Sequence, residues 1–294
     1  MYENIIVSIG MPMFNAERTV AQTICSILNQ DFQEWELLII DDGSIDSGPL
    51  IAKSFRDNRI RIVQGVKNLG LPARLNETIA LSRGEYFARM DADDIAYPHR
   101  LTRQLEYLRS QPEIDLAGGS LVIFQGDGTL LGGRPACTTH QQICGNIIRA
   151  FALAHVTWMG KTEWFRRNPY HNGKKLAQDR DLLIRCHRHS CFGAVPDVLV
   201  GVREDKAVRL RALVKGRYEV ARALVQDGVV NRDCRHLLAA FVEMSKLGFD
   251  AAALGIGLNY HLLNHRAQKL DLNTEREWRA VWAQVNGMLN HREC

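Results

Sequence analysis

Long apolar runs are missing from this 294-residue chain. None approaches the ~18 to 20 residues that a membrane-spanning helix needs, so no segment reads as a transmembrane span. A signal peptide is not evident either, because the opening MYENIIVSIG carries an acidic residue where positive charge would stand. The seven cysteines are scattered and odd in number, which argues against a disulfide framework; free thiols in a reducing cytosol are expected. Charge of one sign is not in excess: the net value of +4 is too mild to point to nucleic acid. Prolines are few, at eight, and neither repeats nor low-complexity segments occur, as in an ordinary globular chain. No G-x-G-x-x-G follows an early strand, which excludes a dinucleotide-binding oxidoreductase.

What is present is alternation. NIIVSIGMPMF is short, β-branched and nearly all apolar, as expected of a strand buried on both faces. The next stretch, NAERTVAQTICSILNQ, places Val20, Ile24, Ile27 and Leu28 on one helical face, with Asn15 as the expected N-cap. WELLIIDDGS is a second buried strand that ends in two carboxylates and a glycine turn. RIRIVQG reads as a third strand, LPARLNETIALSRG as a helix and EYFARM as a fourth strand running into aspartates. PHRLTRQLEYLRSQP is then a helix with Leu101, Leu105 and Leu108 on one face. Strict alternation of strand and helix predicts an α/β fold, a mostly parallel Rossmann-like sheet with helices on both faces. Beyond Gly119 the pattern loosens, with strands at SLVIF and CFGAVPDVLVGV and helices at HQQICGNIIRAFAL and QDRDLLIRCHRH. From about residue 206 the chain reads as helical, over 206–226, 233–247, 250–265 and 274–290. Residues 1–205 are therefore expected to form the α/β domain and 206–294 a C-terminal helical appendage.

Three of these strands end in polar residues, Asn15, Asp41-Asp42 and Asp91-Ala92-Asp93-Asp94. In a parallel sheet, ligands sit outside the carboxyl ends of the strands. Two carboxylates one residue apart can reach a single hard cation, Mn²⁺ or Mg²⁺, whose shell is completed by water and phosphate oxygens. A bare D-x-D is more often a solvated turn. The second aspartate pair on the same sheet edge reverses that judgement, because gathered carboxylates repel unless a cation or a ligand's donors hold them. A nucleoside diphosphate with a metal meets that need.

Four segments in order, VSIGMPMFNAERTVAQTICSILNQ, WELLIIDDGSIDSG, NLGLPARLNETIALSRGEYFARMDADDIAYPHRLTRQLEYL and WFRRNPYHNGKKLAQDRDLLIR, resemble family 2 (GT-A fold) inverting glycosyltransferases. They cover roughly residues 4 to 200, and the nearest likeness is to bacterial enzymes of exopolysaccharide, O-antigen or lipopolysaccharide synthesis. The resemblance implies metal-assisted single displacement from a UDP-sugar to a hydroxyl of a glycan or lipid-linked oligosaccharide. Pro12, Phe14 and Asn15 match the first-strand motif that lines the nucleotide pocket, with Glu17 just beyond. Asp42 matches the aspartate that hydrogen-bonds the uracil, and Arg74 lies in the segment closing over the base. Asp91, Ala92 and Asp93 match the D-x-D motif, Asp91 near the ribose and Asp93 on the metal. Asp179 matches the catalytic base of the family's E-D pair. Gln178 stands where the family commonly has Glu, which leaves Asp181 as a rival base. His155 occupies a position where a histidine could contact the donor phosphates or the acceptor, or simply fill the core.

Other signals take blander readings. Cys186, His187, His189 and Cys191 lack the second distant pair of a structural zinc site and are expected to be core and surface residues. Trp158 and Trp164 are expected to pack. Lys206, Arg209, Arg211, Lys215, Arg217 and Arg222 form a basic run against Glu219 alone. It is either a solvated helix face or a contact with the cytoplasmic face of the inner membrane, where each cation gains about 1 kcal/mol beside anionic lipid. The competing functions are a sugar-phosphate nucleotidyltransferase, whose Gly-rich basic loop is missing after the first strand, and a non-catalytic nucleotide-sugar-binding module.

Overall fold

The first four expected strands form, and each is apolar for the reason its sequence gives: both faces are covered. The computed structural model describes residues 4–145, 152–173, 176–204, 210–255 and 268–291. Strands β1 (Val7–Met13), β2 (Trp35–Asp41), β3 (Ile60–Gln64) and β4 (Tyr86–Arg89) pair in parallel in the order β3-β2-β1-β4. Helices α1 (Val20–Leu28), α2 (Gly48–Ser54) and α3 (Leu71–Leu81) make the crossovers. Alternation along β4 divides the core: Tyr86 and Ala88 join α1 and α2 on one face, Phe87 joins α3 on the other.

The second half of the sheet is mixed. After the two-residue β5 (Ile95–Ala96) and α4 (Arg100–Ser110) comes the long buried β6 (Leu116–Phe124). One edge of β6 carries β7 (Leu130–Arg134) and the three-residue β8 (Met159–Lys161), both antiparallel to it, and β8 also joins β4. The other edge pairs in parallel with β9 (Phe192–Arg203), and β9 pairs antiparallel with β5. Short helices α5 (His140–Cys144) and α6 (Thr162–Arg167), then α7 (Gln178–Cys186), lie on the α3 face. The rest of the stretch expected to continue α5, residues 146–151, lies outside the described residues.

The C-terminal helices divide into two groups. Helices α8 (Leu210–Val230) and α9 (Cys234–Gly255) pack on each other, with Val220, Leu224 and Ala239 meeting Ile184 of α7. The helix expected at 250–265 is not separate at its start: α9 runs unbroken to Gly255, and 256–267 lies outside the described residues. Helix α10 (Leu272–His291) returns to the sheet, where buried Trp278, Val281 and Val285 pack on Tyr97, Val122 and Phe124. It is thus joined to the sheet's apolar core, and Gln22 of α1 donates to Asn286 at 2.8 Å. No helix of the described residues is long and apolar enough to cross a membrane.

Candidate active site

Parallel strands β1, β2 and β4 carry their loops to one edge, and a cavity of about 1280 Å³ opens there. Pro12, Phe14, Asn15, Glu17, Asp91, Ala92 and Asp93 all line it, with Arg18 and Arg203 as cations. Asn15 is not an N-cap, because α1 begins only at Val20 and Thr19 takes that position. Instead Asn15 adopts a left-handed conformation (φ 50°), unusual for a residue with a side chain. There its amide N–H donates to Ser44 Oγ at 2.9 Å and its Oδ1 accepts from the Ile45 N–H at 3.0 Å. Glu17 repeats the device: its N–H donates to Asp46 and its carboxylate accepts from the Ser47 N–H. The β1 and β2 loops are thus stitched into one wall. Gly43 (φ 76°) lets the β2 loop turn, and a side chain there would crowd the Lys67 backbone.

Asp42 and Arg74 sit behind that wall. Asp42 Oδ1 accepts from the Leu69 N–H and from Arg74 Nε, both at 2.7 Å, and Oδ2 from the Gly70 N–H at 2.9 Å. Arg74 also donates to Glu77 and to the Lys67 carbonyl. In this structure the pair braces residues 67–70 and does not line the cavity.

The acidic turn is held from behind by its carbonyls. Thr19 and Thr23 of α1 donate to the carbonyls of Ala92 and Asp94, at 2.9 and 2.8 Å. Arg203, ending β9, donates through Nε to the Asp93 carbonyl and through its N–H to Asp94 Oδ1. With its backbone so fixed, the turn brings one oxygen each of Asp91, Asp93 and Asp94 within 4.8 Å of one another, the sole such group of three among the described residues. Burial, then the charges of Asp91 and Asp93, push the Asp94 carboxyl well above its ordinary value. Crowded carboxylate oxygens without thiolate or imidazole are a donor set that fits a hard divalent cation.

Behind Asp91 lies a buried cluster of which the sequence had flagged only His155. Arg89 Nη2 donates to Asp91, while its buried Nε meets no acceptor among the described residues. Arg100, also buried, donates to the carbonyls of Arg89 and Val156, and burial beside Arg89 pushes its pKa down to about 9. His155 and Tyr170 are 2.9 Å apart (Nε2 to hydroxyl oxygen). Burial and the Arg89 charge hold His155 well below its ordinary pKa, so it is neutral. Burial raises the Tyr170 pKa against the pull of Arg89, and the charges of both Asp179 and Asp91 add to the rise. Tyr170 thus feels the charges of both the acidic turn and Asp179. A charged residue inside the apolar run EYFARM was the one available hint of Arg89; Tyr170, in a loop, had none.

Asp179 and His155 line a second cavity of about 580 Å³, together with Arg134 and Arg180. Asp179 stands in the first turn of α7, preceded by Ala177 in the left-handed region (φ 55°). Backbone strain of this kind in a residue with a side chain clusters at functional sites. The rival Asp181 is buried, ion-paired with Arg185 and in contact with His171 Nδ1, both at 3.0 Å, and does not line the cavity. The other bland readings find their places. Trp158 and Trp164 are buried, donating to the Leu153 carbonyl and Ser190. Cys186 donates to Asn168, His187 contacts its own helix carbonyl at Ile184, and no zinc-type donor group occurs among the described residues. Every described cysteine is a free thiol.

Known proteins share this layout. EpsE of Bacillus subtilis (strain 168), whose name assigns it to the glycosyltransferases, is 30% identical over 82% of this chain and 87% of its own length. The Escherichia coli UDP-Glc:alpha-D-GlcNAc-diphosphoundecaprenol beta-1,3-glucosyltransferase WfgD is 33% identical over 36% of this chain and 42% of its own. Among solved structures, S. aureus TarS 1-349 in complex with UDP-GlcNAc superposes with a TM-score of 0.63 at 16% identity, covering 95% of this chain and 80% of that one. Its fold is the GT-A fold expected from sequence. Residues 8–187 match the sequence model of glycosyl transferase family 2, and with EpsE related across most of the chain, this protein belongs to that family and is a glycosyltransferase.

Proposed function

We propose that the enzyme transfers a sugar with inversion, from a UDP-sugar in the first cavity to a hydroxyl of a glycan or lipid-linked oligosaccharide in the second. One observation carries this reading: Asp91 and Asp93 line one cavity, Asp179 lines the other, and the charges of Asp91 and Asp179 both reach the buried Tyr170. A single displacement needs the leaving diphosphate on one side of the reacting carbon and a base on the other. Asp179 is that base, taking the acceptor's hydroxyl proton on Oδ. Asp93, with Asp91 beside it, would hold Mn²⁺ or Mg²⁺, which supplies neutralisation of the leaving diphosphate. Phe14, 49% exposed on the cavity wall, offers a flat apolar surface for the base. Asp42 and Arg74 act on the nucleotide through the loop they brace, and neutral His155 sets the Tyr170 hydroxyl toward the phosphates or the acceptor. The name of WfgD supports both a UDP-sugar donor and a lipid-diphosphate-linked acceptor, and the TarS complex supports UDP. A bacterial surface polysaccharide is the product class that such relatives favour.

Peripheral contact with the cytoplasmic face of the inner membrane belongs to the same reading. The α8–α9 pair exposes Tyr218, Val229 and Phe241 beside the exposed cations Lys215, Arg222 and Arg235, a combination suited to an anionic interface. Lys206 and Arg209 of the basic run lie outside the described residues.

The test is a thermal melt with UDP in Mn²⁺, Mg²⁺ or chelator, followed by a UDP-release screen of UDP-sugars against glycan acceptors. Stabilisation by UDP that requires the metal is expected. A melt that UDP leaves unmoved under every condition sinks the donor assignment.

A further inference from the structure

The buried or half-buried arginines of this protein are nearly all claimed by its own groups. Arg74 pairs with Asp42, Arg89 with Asp91 and Arg217 with Glu243, while Arg100 donates to backbone carbonyls. Arg134, at the end of β7, differs. It lines the second cavity, half-buried, and its Nε is shut off from solvent with no hydrogen-bond acceptor among the described residues. No described carboxylate pairs with it. A buried guanidinium N–H left without an acceptor is unfavourable, and such a group persists where something from outside completes it.

A second arginine, Arg180, stands on the same wall. Arg180 pairs with Glu243, but that one buried carboxylate also serves Arg217 and Lys246, at 3.2, 2.9 and 2.8 Å. Glu243 thus divides its two oxygens among several donors, and Arg180, which also lines the cavity, meets it at the longest of the three distances. Against Arg134 and Arg180 the described lining holds only Asp179, since His155 is neutral. A phosphate ester matches two arginines better than a neutral sugar does, because it brings compensating charge and the planar fork of a guanidinium meets two of its oxygens.

We propose that the acceptor bears a phosphate on the sugar that enters this cavity, and that Arg134 binds that phosphate with Arg180 beside it. The assignment rests on the reading of the second cavity as the acceptor site. Asp179 then meets the hydroxyl of the same acceptor, and the guanidinium forks hold the phosphate clear of the carboxylate. Phosphate of this kind has two sources, a lipid diphosphate or a soluble phosphate ester.

The experiment is isothermal titration of the protein saturated with UDP and Mn²⁺, so that the first cavity is filled. The probes are N-acetylglucosamine 1-phosphate, glucose 1-phosphate, the two free sugars and glucuronic acid. Either sugar phosphate is expected to bind at least about tenfold more tightly than its free sugar, as for a charge-assisted bidentate contact. In Arg134→Gln that gap should close to about twofold, and Arg134→Lys should restore part of it, since a point charge replaces the fork. UDP affinity, measured separately, should be the same in all three proteins and doubles as the check of folding. Equal binding of phosphorylated and free sugars by the unmodified protein overturns the proposal. So does an undiminished gap in Arg134→Gln, or glucuronic acid binding as well as the phosphates. Failure of UDP itself to bind is a different result and strikes the donor reading. A polyprenyl-diphosphate sugar in micelles completes the series: tighter binding than the sugar phosphate assigns the phosphate to a lipid carrier, and equal binding to a soluble ester.

Discussion

Around the first cavity nearly every polar side chain is matched by another: Asn15 with Ser44 and Ile45, Glu17 with Ser47, Asp42 with Arg74 and two backbone amides. Around the second, Arg134 has no described partner, Glu243 is shared among three cations, and Ala177 holds a left-handed turn so that α7 can present Asp179. The first wall is a finished frame that would keep its shape without a ligand. The second stores its interactions for something that arrives. Sites of the first kind are stiff and tolerate little substitution, whereas sites of the second kind give up function before stability.

The sharpest way to break this contrast is at Asp179. Asp179→Asn is expected to lower transfer by about 10²- to 10⁴-fold, the usual contribution of a general base, while UDP affinity stays unchanged in titration. Asp181→Asn should keep most transfer and lose stability instead; an exchange of these two phenotypes would falsify the assignment of the base. Next in size is Arg74→Ala, which leaves Asp42 buried without its cation and should cost about 3–5 kcal/mol in urea unfolding. Arg134→Ala in the same assay should cost less than about 1 kcal/mol, and equal losses would erase the distinction between the walls. Asp93→Ala should weaken UDP binding about tenfold in Mn²⁺ and not at all in chelator, read as the difference between two melting series.

A smaller effect concerns acid. Glu36 is buried, which alone would raise its pKa, but donors from Arg83, Ser8 and Arg61 outweigh burial and hold it below the ordinary glutamate range. A carboxylate so held binds fewer protons folded than unfolded. Its stabilisation is full above the unfolded value of about 4.3 and is lost as pH falls through the lower folded value. Glu36→Gln should therefore flatten the acid limb of urea midpoints against pH. Smallest is the double replacement of Lys215 and Arg222 by Ala, with stability within about 0.5 kcal/mol and reduced co-sedimentation with anionic vesicles. Unchanged sedimentation would remove the membrane face.

Much of the first half was legible because a parallel strand buried on both faces writes itself as an unbroken apolar run. WELLIID and EYFAR can be little else, and the aspartates that end them mark the ligand edge. Asn15 was misread, since an asparagine ahead of an amphipathic stretch is the ordinary N-cap signal, and nothing local announces a left-handed residue bound to a loop 29 residues away. The second half hid more. β5 and β8 are two and three residues long, too short for any periodicity, and their pairings are antiparallel within a chain that reads as alternating. Arg134 looked like any surface arginine after a Gly-Gly pair. Its meaning lies in what is not near it, a property that only coordinates carry.

The hold of Arg203 on the Asp93–Asp94 turn has a consequence for the order in which the protein becomes competent. The residues it grips lie 109 and 110 positions earlier in the chain, so the acidic turn cannot settle as it leaves the ribosome. Contacts this far apart in sequence form late in folding. A fragment ending at residue 187, where the family match ends, contains every aspartate discussed above and lacks the strand whose Arg203 holds two of them in place. The acidic turn therefore reaches its final geometry only when its last strand docks, and the cavity edge is completed by the far end of the sheet.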